Sequence, residues 1–277
     1  MDNEEKLIKD IYRMKNWKGW GKTLYWLFRD FSLISKIKIL KYYIKKKTGK
    51  ISPDKVIEIK FKFYGTRLKV KIRENNDDFA ILREIFLFWG YAIPKHKQYK
   101  VIIDGGAHLG FATIFYAITN KESKIFSFEP SKETLELLRY NINENKINAN
   151  ICPEAILDKK EVINFNYDKN NPSFSRIEEK GNRKIETTSL DLIIDKFKLP
   201  SVDLIKLDLE GYEIEALNGL IKNNPKVEEL IIENHSQIYS TGKIFKIIKE
   251  KGFKIIPISH SKIIYGEIEY PIIYSKK

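Results

Sequence analysis

Three carboxylates in this chain each close a largely apolar run, the position from which a strand delivers a side chain to the rim of a sheet. They are Asp104 in Val101-Ile102-Ile103-Asp104-Gly105-Gly106-Ala107-His108-Leu109-Gly110, Glu129 in Phe128-Glu129-Pro130, and Asp208 in Val202-Asp203-Leu204-Ile205-Lys206-Leu207-Asp208-Leu209-Glu210-Gly211-Tyr212-Glu213. Acids at the carboxyl ends of parallel strands face the crevice in which open α/β sheets bind ligands. Gly105 and Gly106 let a ligand lie against the main chain as it turns into a helix, and Gly110 lets that helix sit close to its strand.

The glycines do not form the GxGxxG turn that cradles a pyrophosphate, and an acid at the strand end suits a cationic or amine-bearing ligand. Glu129 is placed to accept hydrogen bonds from both hydroxyls of a ribose. A ligand with a ribose, an ammonium and a sulfonium but no phosphate meets these demands, which describes S-adenosylmethionine.

Asp104-x-Gly-x-x-x-Gly, Phe128-Glu129-Pro130, Lys206-x-Asp-x-Glu-Gly-x-Glu and Leu230-Ile231-Ile232-Glu233-Asn234-His235 occur in order. In this order they resemble the FkbM-type family of S-adenosylmethionine-dependent methyltransferases over about residues 78 to 257. The resemblance implies a class I methyltransferase-like Rossmann fold with a mostly parallel seven-stranded sheet, one strand reversed and helices on both faces. It also implies that Asp104, Gly105, Gly106, Ala107, His108 and Gly110 line the methionine end of the cofactor, that Glu129 and Pro130 border the ribose, and that Glu154 and Ala155 border the adenine. Asp208 and Glu210 would face the methyl group and its acceptor, with Glu233 and His235 across the crevice. The implied reaction is O-methylation of a hydroxyl on a sugar, glycan or related small-molecule acceptor.

Such a site must align the acceptor behind the methyl group and remove a proton when the acceptor is a hydroxyl. His235 is the leading base candidate, because imidazole titrates nearest neutral pH, and Asp208 follows. Asp208, Glu210 and Glu233 also offer oxygen ligands for magnesium, although no spacing specific to a metal marks them. Asn170-Asn171-Pro172-Ser173-Phe174-Ser175 reads as a loop over the acceptor. His96 and His260 have no partner pattern and read as surface residues.

At 277 residues with 43% hydrophobic content, the chain suits one α/β domain and an appendage. The single cysteine, Cys152, excludes an internal disulfide and reads as core packing. With no zinc spacing and no signal-peptide pattern, the expected location is the cytoplasm.

The net charge of +13 is uneven: residues 1–98 hold 24 Lys+Arg against 11 Asp+Glu, and residues 99–277 hold 26 of each. All four tryptophans, Trp17, Trp20, Trp26 and Trp89, lie in the first part as well. The chain therefore divides into a basic amphipathic helical extension (1–50), a β-hairpin with a lead-in helix (51–98) and the cofactor domain (99–277). In residues 7–47, Leu24, Leu27, Phe28, Phe31, Ile34, Ile37 and Tyr43 recur at helical spacing among Lys36, Lys38, Lys41, Lys45, Lys46 and Lys47. Nothing there reaches the ~20 apolar residues of a membrane span. The pattern fits either a cover for the core or a peripheral contact with an anionic membrane surface, on the inner face for a cytoplasmic protein. A lipid-linked saccharide would be a coherent acceptor in the second case.

Ile57, Ile59, Phe61 and Phe63 alternate with polar residues, as do Leu68, Val70 and Ile72, which predicts a hairpin about Tyr64-Gly65-Thr66. Phe79, Leu82, Ile85, Phe86 and Trp89 form a helical stripe ahead of Pro94. Strands are expected at 125–128, 149–152, 202–208 and 227–233, with Ser131 capping a helix to Asn145 and a helix opening at Thr188-Ser189-Leu190-Asp191. Gly252–Ile258 and Ile263–Tyr274 read as closing strands that pair as an antiparallel hairpin. Two rival functions remain at this point: an RNA methyltransferase that finds phosphate with the basic third, and a protein that binds the cofactor without turnover.

Overall fold

The computed structural model describes residues 19–75, 77–88, 91, 98–168, 172, 175–221, 224, 226–235, 241–256, 263–265, 268–270 and 272–277. Trp17, Trp89, Pro94, His96, Asn170, Asn171, Ser173, Phe174 and His260 lie outside the described residues, as does the side chain of Trp20.

Among the described residues the basic extension forms α1 (Gly19–Asp30) and α2 (Leu33–Lys47), broken at Phe31 and Ser32. The break has a packing cause. Phe31 inserts between Trp26 and Phe61, with ring centroids 4.6 and 5.2 Å away, and Ser32 caps α2 by accepting from the Ser35 amide at 3.3 Å. The inward face takes up only part of the expected stripe. Trp26, Phe31, Ser35, Ile39 and Tyr42 are buried and Leu27 and Tyr43 pack against the core, whereas Leu24, Phe28, Ile34 and Ile37 of the stripe point outward. The inward face rests on the predicted hairpin, β1 (Val56–Phe63) and β2 (Thr66–Arg73), where Ser35 Oγ accepts from the Lys60 amide at 2.7 Å. The lead-in helix α3 (Asp78–Phe86) buries Phe79, Leu82, Ile85 and Phe86 as predicted.

Strand–helix alternation follows: β3 (Val101–Gly105), α4 (Phe111–Thr119), β4 (Lys124–Phe128), α5 (Lys132–Glu144) and β5 (Ala149–Cys152). After Pro153 the chain enters β6 (Glu154–Leu157), β7 (Val162–Asn166), β8 (Arg176–Ile177) and β9 (Arg183–Ser189). It then resumes with α6 (Leu190–Lys196), β10 (Val202–Leu207), α7 (Glu213–Asn218), β11 (Val227–Glu233), α8 (Thr241–Glu250) and β12 (Lys254–Ile256). The closing segment forms β13 (Ile263–Tyr265), β14 (Ile268–Tyr270) and β15 (Ile272–Lys276).

The central sheet has seven strands in the order β12-β15-β11-β10-β3-β4-β5, and only β15 runs against the others. This is the architecture expected from the sequence motifs. Alternate residues serve opposite faces: Ile102, Leu204 and Ile231 pack with α4 and α5, while Ile103, Ile205 and Ile232 pack with α6, α7 and α8. The expected closing strand at 263–274 is divided, since β13 and β14 form a small hairpin of their own and β15 pairs antiparallel with β12.

The second sheet, β6-β9-β7-β8, was not expected. β7 and the first half of β9 bury alternate residues only, as in Ile185 against exposed Lys184 and Glu186, so they carry little apolar signal. Ser131 holds the expected position before α5, but its hydroxyl makes no cap bond.

The hairpin joins the cofactor domain through two asparagines of α5 that imitate a neighbouring strand. Asn141 accepts from the Lys71 amide at 2.6 Å and donates to the carbonyls of Lys71 (3.1 Å) and Leu109 (2.9 Å). Asn145 pairs with Lys69 in the same way, at 2.8 Å in each direction. The open edge of β2 is thereby covered. Among the described residues no helix is long and apolar enough to cross a membrane.

Replacing Asn141 by leucine takes the side-chain partner from three backbone groups, the buried Leu109 carbonyl among them. The expected result is a loss of about 1–3 kcal/mol in stability, read as a lower urea midpoint with an unchanged slope.

Candidate active site

A cavity of about 460 Å³ opens over the carboxyl ends of β3, β4, β10 and β11. One side is the turn after β3. Gly106 there has φ +71°, and a Cβ on it would lie 1.9 Å from the Asp208 carbonyl oxygen, so only glycine lets this turn press against the end of β10. Gly110 has φ +81° and leaves no room for a Cβ beside Leu138 of α5.

Of the residues expected at the cofactor, Gly106, Ala107, His108, Glu129, Pro130, Ala155 and Asp208 line the cavity. Asp104, Gly105, Gly110 and Glu154 stand behind its wall. Asp104 is fully buried, accepts from Thr113 Oγ1 at 2.6 Å and lies 3.2 Å from the Lys206 ammonium, so an internal cation and not an external amine answers its charge. Glu154 pairs with Lys196 at 3.1 Å.

Lys206, in register with Asp104 on the adjacent strand, is the residue the motif reading undervalued. Its Nζ donates to the carbonyls of Gly105 (3.1 Å) and Gly106 (2.8 Å) and lies 3.5 Å from Asp208. Burial works against the ammonium, but Asp104 and then Asp208 outweigh it and hold its pKa above the ordinary lysine value. A lysine inside an otherwise apolar strand was the available signal.

Glu129 accepts from the His108 amide at 3.1 Å through one oxygen and from the Ser131 amide at 2.8 Å through the other. Burial pushes it up to about 7, against the pull of these two amides. His108, at φ +49°, has its Nε2 2.8 Å from Arg73 Nη2 of β2. A guanidinium only donates, so Nε2 must accept and the ring proton sits on Nδ1. Burial, then Arg73, lowers this imidazole to about 4, which keeps it neutral. Its Nδ1–H is buried without a partner, in the wall of the cavity. Arg73 is in turn held by Asp78 at 2.9 Å.

Across the cavity, the phenol of Tyr91 lies 2.8 Å from Asp208 Oδ2 and 2.6 Å from Glu233 Oε2. A phenol has one proton to give, so the second contact is a hydrogen bond only while one carboxyl holds a proton. Burial, then the charge of Asp208, pushes Glu233 up to about 7, which identifies it as the protonated member. Asp208 stays below its ordinary value despite burial, through Lys206, His235 and Tyr91. Tyr91 had no motif around it and was not found from sequence.

His235 Nδ1 lies 2.8 Å from Glu213, and its Nε2 lies 3.5 Å from Glu210 and 3.8 Å from Asp208. Burial opposes an imidazolium, but the bond to Glu213 and the charges of Glu213, Glu210 and Asp208 lift the pKa to about 10. The ring is a cation at neutral pH, not the free base its residue type suggested. Burial pushes Glu210 well above the carboxylate range, with His235 pulling against this, and its backbone sits at φ +52°. Asp208, Glu233 and His235 bring ligand atoms within 4.8 Å of one another. Of the expected acceptor loop, Pro172 and Ser175 are described and both line the cavity.

The description "Methyltransferase FkbM domain" matches residues 104–255. The chain belongs to the FkbM methyltransferase family. It is an S-adenosylmethionine-dependent methyltransferase. The hexuronic acid methyltransferase AglP of Haloferax volcanii is 22% identical over 222 residues, covering 75% of this chain and 85% of its own length. Methyltransferase sdnD of Sordaria araneosa is 24% identical over 213 residues, covering 63% of this chain and 82% of its own. Among solved structures, M. jannaschii TYW2 in complex with AdoMet aligns over 79% of this chain and 84% of its own, at 14% identity and a TM-score of 0.41.

The residues present fit S-adenosylmethionine: the Nδ1–H of His108 can meet a carboxylate, and Glu129 has acceptor capacity left for ribose hydroxyls. His108→Ala is expected to weaken S-adenosylmethionine binding by about 10- to 100-fold in calorimetry, the scale of one hydrogen bond to a charged group, with little change in thermal midpoint.

Proposed function

We propose that this methyltransferase acts on a hydroxyl of a sugar, glycan or related metabolite, and that Glu233 removes the hydroxyl proton. The observation that carries the reading is the Tyr91 phenol shared between Asp208 and Glu233 at 2.8 and 2.6 Å. A hydroxyl needs a base as its oxygen is alkylated, and a carboxyl poised at about 7 suits that task near neutral pH.

S-adenosylmethionine supplies an activated methyl group on a sulfonium. The residues around it divide the remaining work. His108 would meet its carboxylate and Glu129 its ribose hydroxyls, and Lys206 braces the Gly105-Gly106 turn. Asp208 remains ionised beside the acceptor. The His235 imidazolium, fixed by Glu213, balances the carboxylates and favours the anionic form of Glu233 once its proton has left for solvent. Lys206 and His235 supply positive charge to this acidic cluster, and no step of the proposed transfer is routed through a metal.

A sugar supports this reading for two reasons. A ligand rich in hydroxyl donors complements a cavity wall that includes Glu84, Glu210 and Glu233, and the Haloferax relative is described as acting on a hexuronic acid. We read residues 99–277 as the cofactor-binding unit and residues 51–98 as part of the acceptor wall, since Ile81, Glu84 and Ile85 of α3 line the cavity.

The reading is tested with labelled S-adenosylmethionine against hexuronic acid glycosides, neutral glycosides and RNA. Label recovered as a methyl ether on a glycoside supports it. Label on RNA, or on an amine nitrogen, overturns it.

The pH dependence follows from the two shifted groups. With S-adenosylmethionine saturating, kcat/KM for the acceptor is expected to rise as Glu233 ionises near 7 and to fall as His235 loses its proton near 10. Glu233→Gln should remove the rising limb and lower kcat by about 10²–10⁴-fold. Glu129 also titrates near 7, but its protonation appears in the affinity for S-adenosylmethionine, which saturation hides. Excess chelator is expected to leave the rate unchanged, and a loss restored by magnesium would show that a metal takes part.

A further inference from the structure

Of the large hydrophobic side chains exposed among the described residues, eight of thirteen lie between Leu24 and Ile44, on α1 and α2. The other five are scattered singly over the surface, as is ordinary for a soluble domain. On α2, Leu33, Ile37, Leu40 and Ile44 follow one another at helical spacing and are between 47% and 72% exposed. Phe28 of α1 continues the stripe. The Lys36 ammonium donates to the Phe28 carbonyl at 2.9 Å and lies 5.6 Å from the centre of its ring, which joins the outward faces of the two helices. The opposite face is occupied, because Ser35, Ile39 and Tyr42 are buried against the hairpin and Tyr42 donates to the Asn75 carbonyl at 2.9 Å.

The charge along the stripe is of one sign. α2 carries six lysines and no acid, with Lys36 and Lys47 on one flank and Lys41 on the other. We infer that α1 and α2 form a docking surface for an anionic lipid bilayer, with the apolar stripe sunk into the boundary between headgroups and acyl chains and the lysines at the level of the headgroup phosphates.

Two other occupants suit the surface less well. A nucleic acid would meet the lysines but would leave four aliphatic side chains against phosphate and water. A second copy docked stripe to stripe would bring two rows of lysine together, with no acid on α2 to answer them. A bilayer with anionic headgroups satisfies both the apolar centre and the basic flanks.

The surface is one short helix away from the cavity. Phe79 of α3 packs on Tyr42 and Tyr43 of α2, with centroids 6.0 and 5.7 Å away, while Ile81 and Ile85 of the same helix line the cavity. Docking would therefore hold the acceptor side of the active site close to the headgroup layer, whatever the acceptor is.

The test is co-sedimentation of the full-length chain with vesicles of phosphatidylcholine alone and of phosphatidylcholine mixed with phosphatidylglycerol. Binding to the mixed vesicles is expected, weakening as salt rises, and little binding to the neutral ones. Ile37→Ser with Leu40→Ser should lower partitioning at least tenfold while leaving the thermal midpoint and S-adenosylmethionine affinity unchanged, as should Lys41→Glu with Lys47→Glu. If the paired variants do not fold, Ile37→Cys carrying an environment-sensitive dye gives a second readout, since the one native thiol, Cys152, is buried. A blue shift with mixed vesicles supports the inference, and an unshifted dye overturns it. Absence of wild-type binding, or binding indifferent to the apolar substitutions, also overturns it. So does retention by RNA that only the lysine variants lose, or an apolar variant that merely turns a dimer into a monomer. None of these readouts depends on turnover, so the inference can fail while methyl transfer stands.

Discussion

The ammonium of Lys206 is the interaction on which the rest of the site depends. It lies 2% exposed between two strand ends and holds four oxygen-bearing groups at once: the Asp104 and Asp208 carboxylates and the carbonyls of Gly105 and Gly106. The two carbonyls belong to the turn after β3 that borders the cavity, and the two acids belong to adjacent strands. Removing one member of a buried charge set exposes the others to the full cost of desolvation, so such a set acts as a unit. Gly106 is the steric counterpart, since its missing side chain is what lets the turn reach Asp208.

Outward from that cation, the carboxylates are sorted by their neighbours. Asp208 has Lys206 beside it and stays ionised, while Glu233 lies one phenol away, is equally enclosed and feels the charge of Asp208. Two like carboxyls brought to one tyrosine cannot both remain charged at low cost, and one of them is pushed into the neutral range. The acidic cluster that looks redundant in sequence thus separates into a fixed charge and a group able to exchange a proton.

Much of the central sheet was legible in the residues. β3, β4, β10 and β11 are largely buried on both faces, and such strands read as apolar runs that stop at an acid or a glycine. The second sheet was not legible because β7 and the start of β9 are half-exposed; β7 buries only Phe165. The helical period of the extension was visible, but α2 has apolar residues on both sides, with Ile39 and Tyr42 on one and Leu33, Ile37, Leu40 and Ile44 on the other. Periodicity marks an apolar stripe without saying which stripe meets the protein. The acids and histidines of the site were legible by position at strand ends. Tyr91 was not, since an isolated tyrosine in a loop carries no pattern, and Arg73 was hidden in a strand of alternating basic residues whose end happens to reach the cofactor turn.

The two histidines of the cavity show why residue type alone could not assign the chemistry. His108 meets a guanidinium that can only donate, so its ring is forced neutral and turns a donor toward the cofactor side. His235 meets a carboxylate that accepts at Nδ1 and has two more facing Nε2, so its ring is held as a cation. Each assignment comes from a different element: Arg73 from the hairpin for one, Glu213 from the first turn of α7 for the other. The hairpin therefore helps set the electrostatics of the cavity, because without Arg73 the His108 ring could take either tautomer and the donor it presents in the cavity wall would no longer be fixed.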